Sequence, residues 1–355
     1  MQTCMKKYQN EFTIKFAQLM QERLAIWKEV QKHEQKSLYS WGSITTYFIV
    51  GLLGFIPGKR EYNYDLEFHC WAFVVLFIIV IIGNIQTTNK TYQKAIKMTL
   101  FPELLTVFGG NIHYAKSPTN FTNSITKKIQ NIQEIAKTIA DKADMSYFST
   151  KAKCYISDSV FQNCGLYDKT ITQREDDDIF SGKYNDVKFV MNETDFGWNA
   201  RDKYRTYHSM FKGLAMRFTL NKEIKSRVLI VSKFSWTKIP KNYEKVELES
   251  SEFAKKFNVY VDNSEEGQVE ARYLLNTAFI NRFMQIRTSF RVNKMCCSVF
   301  GKDMLIMLST KRDLFEMNHL FGKIDDINQY KHLFDEFASV LSFIEVLNLS
   351  SKTKL

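Results

Sequence analysis

Two apolar runs that lie close together dominate the hydrophobic pattern of the chain. The first extends from Trp41 to Ile56 and the second from Cys70 to Ile85, and residues 57–69 between them carry five charged side chains. A helix needs roughly 20 mostly apolar residues to cross a bilayer core of about 30 Å. The pattern therefore predicts a two-helix transmembrane hairpin over residues 41–86. The alternative is a buried hairpin in a soluble core, although such helices normally carry a polar stripe.

Residues at the ends of the two runs predict how this hairpin is oriented. Trp41 and Trp71 stand where amphipathic rings anchor at a membrane interface. The flanking lysines are Lys28, Lys32 and Lys36 before the first run and Lys90, Lys94 and Lys97 after the second. The connecting turn has only Lys59 and Arg60. Because positive charge stays on the cytoplasmic side, we expect an inner-membrane protein with both termini in the cytoplasm.

Residues 1–40 contain neither proline nor glycine and show a helical pattern. Their apolar residues recur at three- and four-residue steps, as Phe12, Phe16, Leu19, Ile26 or Trp27, and Val30. This spacing predicts an amphipathic helix. The helix could lie on the membrane, pair with another copy, or pack within its own chain, and the last of these is favoured.

The remainder of the chain changes from helical to strand-like patterns near residue 151. Residues 87–150 predict a helical stalk, with helices at 87–107 and 123–143 and a loop rich in Gly, Asn and Ser between them. From residue 151 to residue 355, alternating apolar and polar positions predict strands, followed by a helix at 328–347. The predicted fold class is α+β with a largely antiparallel sheet.

Charge and cysteine content narrow the classes of function. The net charge is +11 and the isoelectric point is about 9.1, but the positive charge is spread along the chain. Nucleic-acid binding favours a clustered basic patch, so a nucleic-acid partner is not expected. The six cysteines form no CxxC pair, which is typical of reduced thiols, and the adjacent Cys296 and Cys297 are expected on a strand.

Candidate chemistry is confined to one acidic run and one arginine. Asp176, Asp177 and Asp178 follow Glu175, and such oxygen-rich clusters can bind Mg²⁺ or Ca²⁺. The spacing of a calcium-binding loop is missing, so a solvated acidic turn before a strand is the favoured interpretation. No pattern of a nucleophile and a base, a phosphate loop or a histidine metal site is found. An enzyme is therefore not the favoured interpretation, and no cofactor is expected.

Several motifs after residue 157 resemble one known family. They are an acidic D-D-x-x-x-G turn, an F-K-G-L element, and an E-x-x-x-F-x-x-x-F-x-V-Y block leading to E-A-R-Y-x-L. The matching residues are Asp177, Asp178 and Gly182, then Phe211 to Leu214, then Glu249, Phe253, Phe257, Val259 and Tyr260, then Glu270 to Tyr273 and Leu275. The chain resembles, over about four fifths of its length, the bacterial two-pass membrane proteins known as domain of unknown function 3137. This resemblance implies a hairpin before a cytoplasmic domain and implies no activity.

The residue types within these motifs predict mainly structural roles. Phe211, Phe253, Phe257 and Tyr260 are expected in the core around the sheet. Gly213 is expected to relieve crowding or permit a bulge, with its neighbour Lys212 exposed. Arg272 stands among apolar residues, so its head group is expected to need an acidic partner from Glu270, Glu249 or residues 175–178.

The sequence thus predicts a membrane-anchored cytoplasmic interaction or scaffold protein. Its expected partners are the lipid bilayer and either another protein or a second copy of the chain. The alternative is a membrane-bound enzyme or ligand-binding domain that uses Asp176 to Asp178 with Arg272.

Overall fold

The computed structural model describes most of the residues before the first apolar run and most of those after it. The described residues are 2–39, 45–47, 49, 66–108, 112–115, 155–200, 206–233, 239–262, 265–316 and 320–352. Trp41 and the predicted helix at 123–143 lie outside them. The predicted boundaries at residues 40/41 and 150/151 are likewise outside the described residues.

Helices lie before, between and after the strands along the chain. They are α1 (Gln2–Ser37), α2 (Leu66–Leu105), α3 (Asp158–Gln162), α4 (Ser251–Lys256), α5 (Glu265–Leu274), α6 (Thr277–Ser289) and α7 (Ile327–Lys352). The strands are β1 (Ile112–Ala115), β2 (Gln173–Tyr184), β3 (Val187–Asn199), β4 (Tyr207–Ser232), β5 (Tyr243–Val246), β6 (Phe257–Asp262) and β7 (Lys294–Ser309). The predictions of strands after residue 151 and of a helix at 328–347 are confirmed.

The seven strands form one sheet in the order β1-β2-β3-β4-β6-β5, and β7 pairs with β4. Every described pair is antiparallel. The α+β class and the antiparallel sheet are therefore confirmed. Two local predictions are wrong: residues 112–115 form β1 rather than a loop, and the acidic run lies within β2 rather than in a turn. In both cases the ladder of hydrogen bonds with a neighbouring strand outweighs weak local preference.

The sheet bends in the middle of β4 and β7. The first half of β4 pairs with the second half of β7, from Gly213↔Ser309 to Thr219↔Asp303. After two breaks in register, Val228↔Val299 to Val231↔Cys296 join the remaining halves. Side chains from both halves, such as Phe211 and Val231, meet in one buried cluster. The bend therefore gives the sheet a concave and a convex face.

Helices cover the convex face and build the larger core. Phe180, Met191 and Phe218 of the sheet belong to the same buried cluster as side chains of α1, α2, α6 and α7. On the concave face, residues 156–166 supply Ile156 and Phe161 to the smaller cluster. Phe211, Phe253 and Phe257 are buried as predicted, whereas Tyr260 is half-buried against the smaller cluster. Cys296 and Cys297 lie on β7 as free thiols.

The first helix packs within its own chain, which was the favoured alternative. The ring centroids of Phe12 and Phe334 are 4.7 Å apart, and those of Phe16 and Tyr330 are 4.8 Å apart. Gln31 Nε2 donates to the carbonyl of Leu320 at 2.8 Å. These contacts hold α1 against α7.

The predicted membrane hairpin is not supported by the described helices. α2 extends without interruption from Leu66 to Leu105, so the predicted boundary at residue 86 falls inside a helix. Among the helices that the structure describes, none has the length and the apolar composition required to cross a membrane. Trp71, the second predicted membrane anchor, lies within α2.

Candidate functional site

A bulge in β2 separates the three aspartates predicted from the sequence. The register between β2 and β3 shifts between Asp177 and Ile179, and Asp178 has a φ of 41°. Asp176 accepts hydrogen bonds from the guanidinium of Arg174 at 2.8 and 3.0 Å. Asp177 accepts one from the backbone N–H of Asp178 at 2.8 Å. The aspartates of the acidic run therefore have different hydrogen-bond partners.

Asp178 is the buried centre of a polar network on the convex face. Its side chain is fully buried, and its carboxylate accepts hydrogen bonds from Lys97 Nζ and the Tyr114 hydroxyl, both at 2.5 Å. Burial alone would lower the pKa of Lys97, but the charge and hydrogen bond of Asp178 more than offset it, so the pKa is raised. Burial, followed by the charge of Asp178, raises the pKa of the Tyr114 hydroxyl. Lys97 is therefore held as a cation.

Two further carboxyl groups lie beside this network. Oxygen atoms of Asp178, Glu193 and Asp313 all lie within 4.8 Å of one another. Glu193 Oε1 accepts a hydrogen bond from the backbone N–H of Leu314 at 3.0 Å, and its buried Oε2 has no hydrogen-bond partner among the described residues. Burial, with a smaller effect of the Asp178 charge, raises the pKa of Glu193 to about 8.

This arrangement can bind a proton or a divalent cation at Glu193. Carboxylate oxygens are the ligands that Mg²⁺ and Ca²⁺ prefer, and a cation beside Glu193 would favour its ionised form. Lys97 already supplies positive charge to Asp178, so a structural ion pair accounts for that residue without a metal. The chemistry that the approach of these carboxyl groups supports is ion binding.

Arg272 and the acidic run do not form the predicted cluster. Arg272 lies exposed on α5, and its described hydrogen bond is to Gln268 on the same helix, at 3.5 Å. Glu270 instead accepts hydrogen bonds from the backbone N–H groups of Lys225 and Ser226, at 3.2 and 2.8 Å. The expectation that Arg272 needs a buried acidic partner is wrong, because its helix turns it toward solvent.

A basic cleft opens at the concave face, and sequence reasoning missed it. The cleft has a volume of about 830 Å³. Its basic lining residues are Lys169, Lys212, Arg291, Lys294, Lys311 and Arg312. They come from four separate segments of the chain, so no dense basic run marks them in the sequence. The available signal was that Arg291 with Lys294, and Lys311 with Arg312, lie at the two ends of the apolar segment that forms β7.

Comparison with protein families supports the resemblance over part of the chain. The family described as protein of unknown function (DUF3137) matches residues 209–349. This range includes the F-K-G-L element and the block leading to E-A-R-Y, and it leaves out the acidic turn at 177–182. The match covers less than half of the chain, and the description of the family gives no activity.

Other comparisons add little. No curated protein matches the chain. Among solved structures, the crystal structure of the mycobacterial trehalose monomycolate transport factor A, TtfA, aligns with 48% of this chain and 73% of its own, at 6% identity and a TM-score of 0.28. A likeness this weak carries no argument about fold or function. The chain is thus similar, over residues 209–349, to a family of unknown function.

Proposed function

We propose that this chain is a membrane-attached interaction protein, with α2 and the first apolar run as its attachment. The observation that carries the proposal is a row of branched apolar side chains on the first half of α2. Each of them exposes between 48% and 58% of its surface: Val74, Val75, Ile78, Ile79 and Ile82. Exposed apolar patches of this kind suit a membrane or an apolar partner.

The two halves of α2 differ sharply in their surroundings. Tyr92, Ile96 and Phe101 in the second half expose no more than 2% of their surface within the larger core. The first half therefore extends away from that core as a continuous arm of the same helix. An uninterrupted helix fixes the arm relative to the domain, so a membrane bound to the arm would hold the domain at a defined distance.

A contact between the two apolar runs supports the pairing of helices in the attachment. The rings of Tyr47 and Phe77 meet edge to face, with centroids 5.9 Å apart. Asn84 Nδ2 donates to the Tyr47 hydroxyl at 2.7 Å. In this proposal both termini face the cytoplasm from an inner membrane, and the domain binds another protein or a second copy without catalysis.

Alkaline extraction of membranes tests the attachment. We expect the full chain to stay in the membrane pellet, and the variant Ile78→Asn, Ile79→Asn, Ile82→Asn to move to the supernatant. The matched control replaces three apolar residues that are exposed elsewhere, Ile14, Val269 and Phe321, by Asn and should stay in the pellet. Release of the wild-type chain, or retention of the α2 variant, would overturn the proposal.

The carboxyl cluster supports a second candidate function, a cation-binding domain. The mutual approach of Asp178, Glu193 and Asp313 within 4.8 Å favours it. Mn²⁺ or Mg²⁺ at about 100 times its Kd should stabilise the folded chain by about 2.7 kcal/mol, and Glu193→Gln with Asp313→Asn should abolish this gain. Equal thermal melting with and without these ions would rule the candidate out.

A further inference from the structure

We propose that the basic cleft binds a small molecule or lipid head group that carries phosphate beside an apolar portion. The cleft lies on the concave face of the sheet, opposite the face that α2 covers. It lies between the first residues of β4, the last residues of β7 and the turn that precedes β7. The inference is therefore independent of the membrane attachment.

The charge of the lining indicates an anion with more than one negative charge. Six basic residues line the cleft, and Asp168 is the acidic residue among its described lining. Lys212 is paired with Asp195 at 2.8 Å. Subtracting these two acids from the six bases leaves four positive charges. Glu336, which Arg312 and Arg291 influence, has a pKa raised by burial to about 7 and offsets at most one more.

The excess charge is available at the surface. Arg291, Lys294 and Lys311 are exposed, and no salt bridge joins any of them to a carboxylate among the described residues. A single carboxylate would neutralise one of these charges, whereas a phosphate group carries up to two and accepts several hydrogen bonds at once. Lysine and arginine both serve as phosphate ligands.

The floor of the cleft is apolar and buried. Phe211 and Met307 belong to the smaller core cluster, and the Tyr167 hydroxyl contacts Met307 Sδ at 3.7 Å. Trp198 lines one side, stacked on His208 with centroids 4.7 Å apart. A volume of about 830 Å³ lies within the roughly 300–1,000 Å³ of small-molecule sites. The floor thus suits the apolar portion of the ligand.

Calorimetric titration of the full chain in detergent micelles tests this assignment with two probes. Inorganic pyrophosphate represents a free phosphate compound, and dihexanoyl phosphatidylglycerol represents a lipid head group. We expect at least one probe to bind, and Lys294→Gln with Lys311→Gln to weaken that binding at least tenfold. Since both lysines are exposed, the variant should keep the unfolding temperature of the wild type.

The matched control is Lys188→Gln with Lys241→Gln, which changes the net charge equally at exposed positions outside the cleft. This control, and the α2 variant Ile78→Asn, Ile79→Asn, Ile82→Asn, should bind the probe as the wild type does. Binding of pyrophosphate would support a soluble phosphate compound, and binding of the lipid alone would support a head group. Absence of binding for both probes, equal loss in the control, or tighter binding of a polyglutamate peptide would overturn the proposal.

Discussion

Lys97 and Asp178 form an ion pair from which solvent is almost completely excluded, with 3% and 0% of their side chains exposed. Removing one partner of such a pair leaves an uncompensated buried charge. We therefore expect Lys97→Met to lower the free energy of unfolding by about 3–5 kcal/mol. Chemical denaturation would measure the loss.

The control for this prediction is Lys183→Met, which breaks an exposed pair with Asp186 and should change stability by less than about 1 kcal/mol. Adding Asp178→Asn to Lys97→Met should cause less damage than the sum of the single changes, because the second change removes the stranded charge. Equal losses for Lys97→Met and Lys183→Met would contradict the buried pair.

Glu193 makes stability depend on pH. Its pKa in the folded chain is raised from 4.5 to about 8. Below pH 4.5 both the folded and the unfolded chain hold the proton. As the pH rises toward 8 the unfolded chain loses it first, so the contribution of protonated Glu193 to stability is lost.

Replacing Glu193 by Gln should remove this dependence, because the amide imitates the protonated carboxyl. We expect the free energy of unfolding of Glu193→Gln, minus that of the wild type, to increase by at least about 1 kcal/mol from about pH 5 to about pH 8.5. Urea denaturation at the two pH values gives the difference. Glu336, with a pKa near 7, is common to both proteins and cancels. A difference in stability between the two proteins that is the same at both pH values would show that Glu193 does not titrate in this range.

At the scale of elements, β4 and β7 approach closely at Gly213. A Cβ on Gly213 would lie 2.0 Å from the carbonyl oxygen of Leu308, and its φ of +144° is one that other residues rarely adopt. The predicted role in relieving crowding is therefore confirmed, and its neighbour Lys212 is exposed as expected. Because backbone cannot yield as a flexible side chain can, the two strands pair here only with glycine.

We expect Gly213→Ala to lower the free energy of unfolding by more than about 3 kcal/mol, since steric overlap adds to backbone strain. Gly301→Ala is the matched change, because Gly301 also has a positive φ, of +60°, but nothing lies within 4 Å of its would-be Cβ. That change should cost only about 1–2 kcal/mol. Thermal unfolding of the two variants separates crowding from strain, and equal effects would contradict the close approach.

At the scale of the whole molecule, α1 shares one core with the sheet and α7. Phe16 is 3% exposed in this core, whereas Ile14, two residues earlier, is 60% exposed. We expect the chain to unfold in one transition, and Phe16→Ala to destabilise it by about 3–5 kcal/mol. Ile14→Ala should stay within about 0.5 kcal/mol. Calorimetry that shows two transitions, with only one moved by Phe16→Ala, would contradict the shared core.

Periodicity in the sequence predicted what depends on neighbours along the chain. The three- and four-residue spacing of Phe12, Phe16 and Leu19 marked the buried face of α1, and alternation marked β4. The same reasoning failed for β1, because its hydrogen bonds come from β2, a strand distant in sequence. It also failed for the acidic part of β2, because pairing with β3 outweighs the weak strand preference of the aspartates. It also counted Lys97 among the lysines that orient the second apolar run, although the fold buries that side chain against Asp178.

The amino-acid sequence by itself determined the α+β class, the amphipathic first helix and the apolar runs, since each follows from local spacing or residue type. Only the tertiary structure decided which charges meet. It separated Asp176 from Asp178 by a bulge and placed Arg272 at the surface. It also placed Glu193 and Asp313 near the buried Lys97. It also gathered Arg291, Lys294, Lys311 and Arg312 around one cleft. Electrostatic interactions depend on the distance between groups and on their burial, and the order of residues along the chain specifies neither quantity.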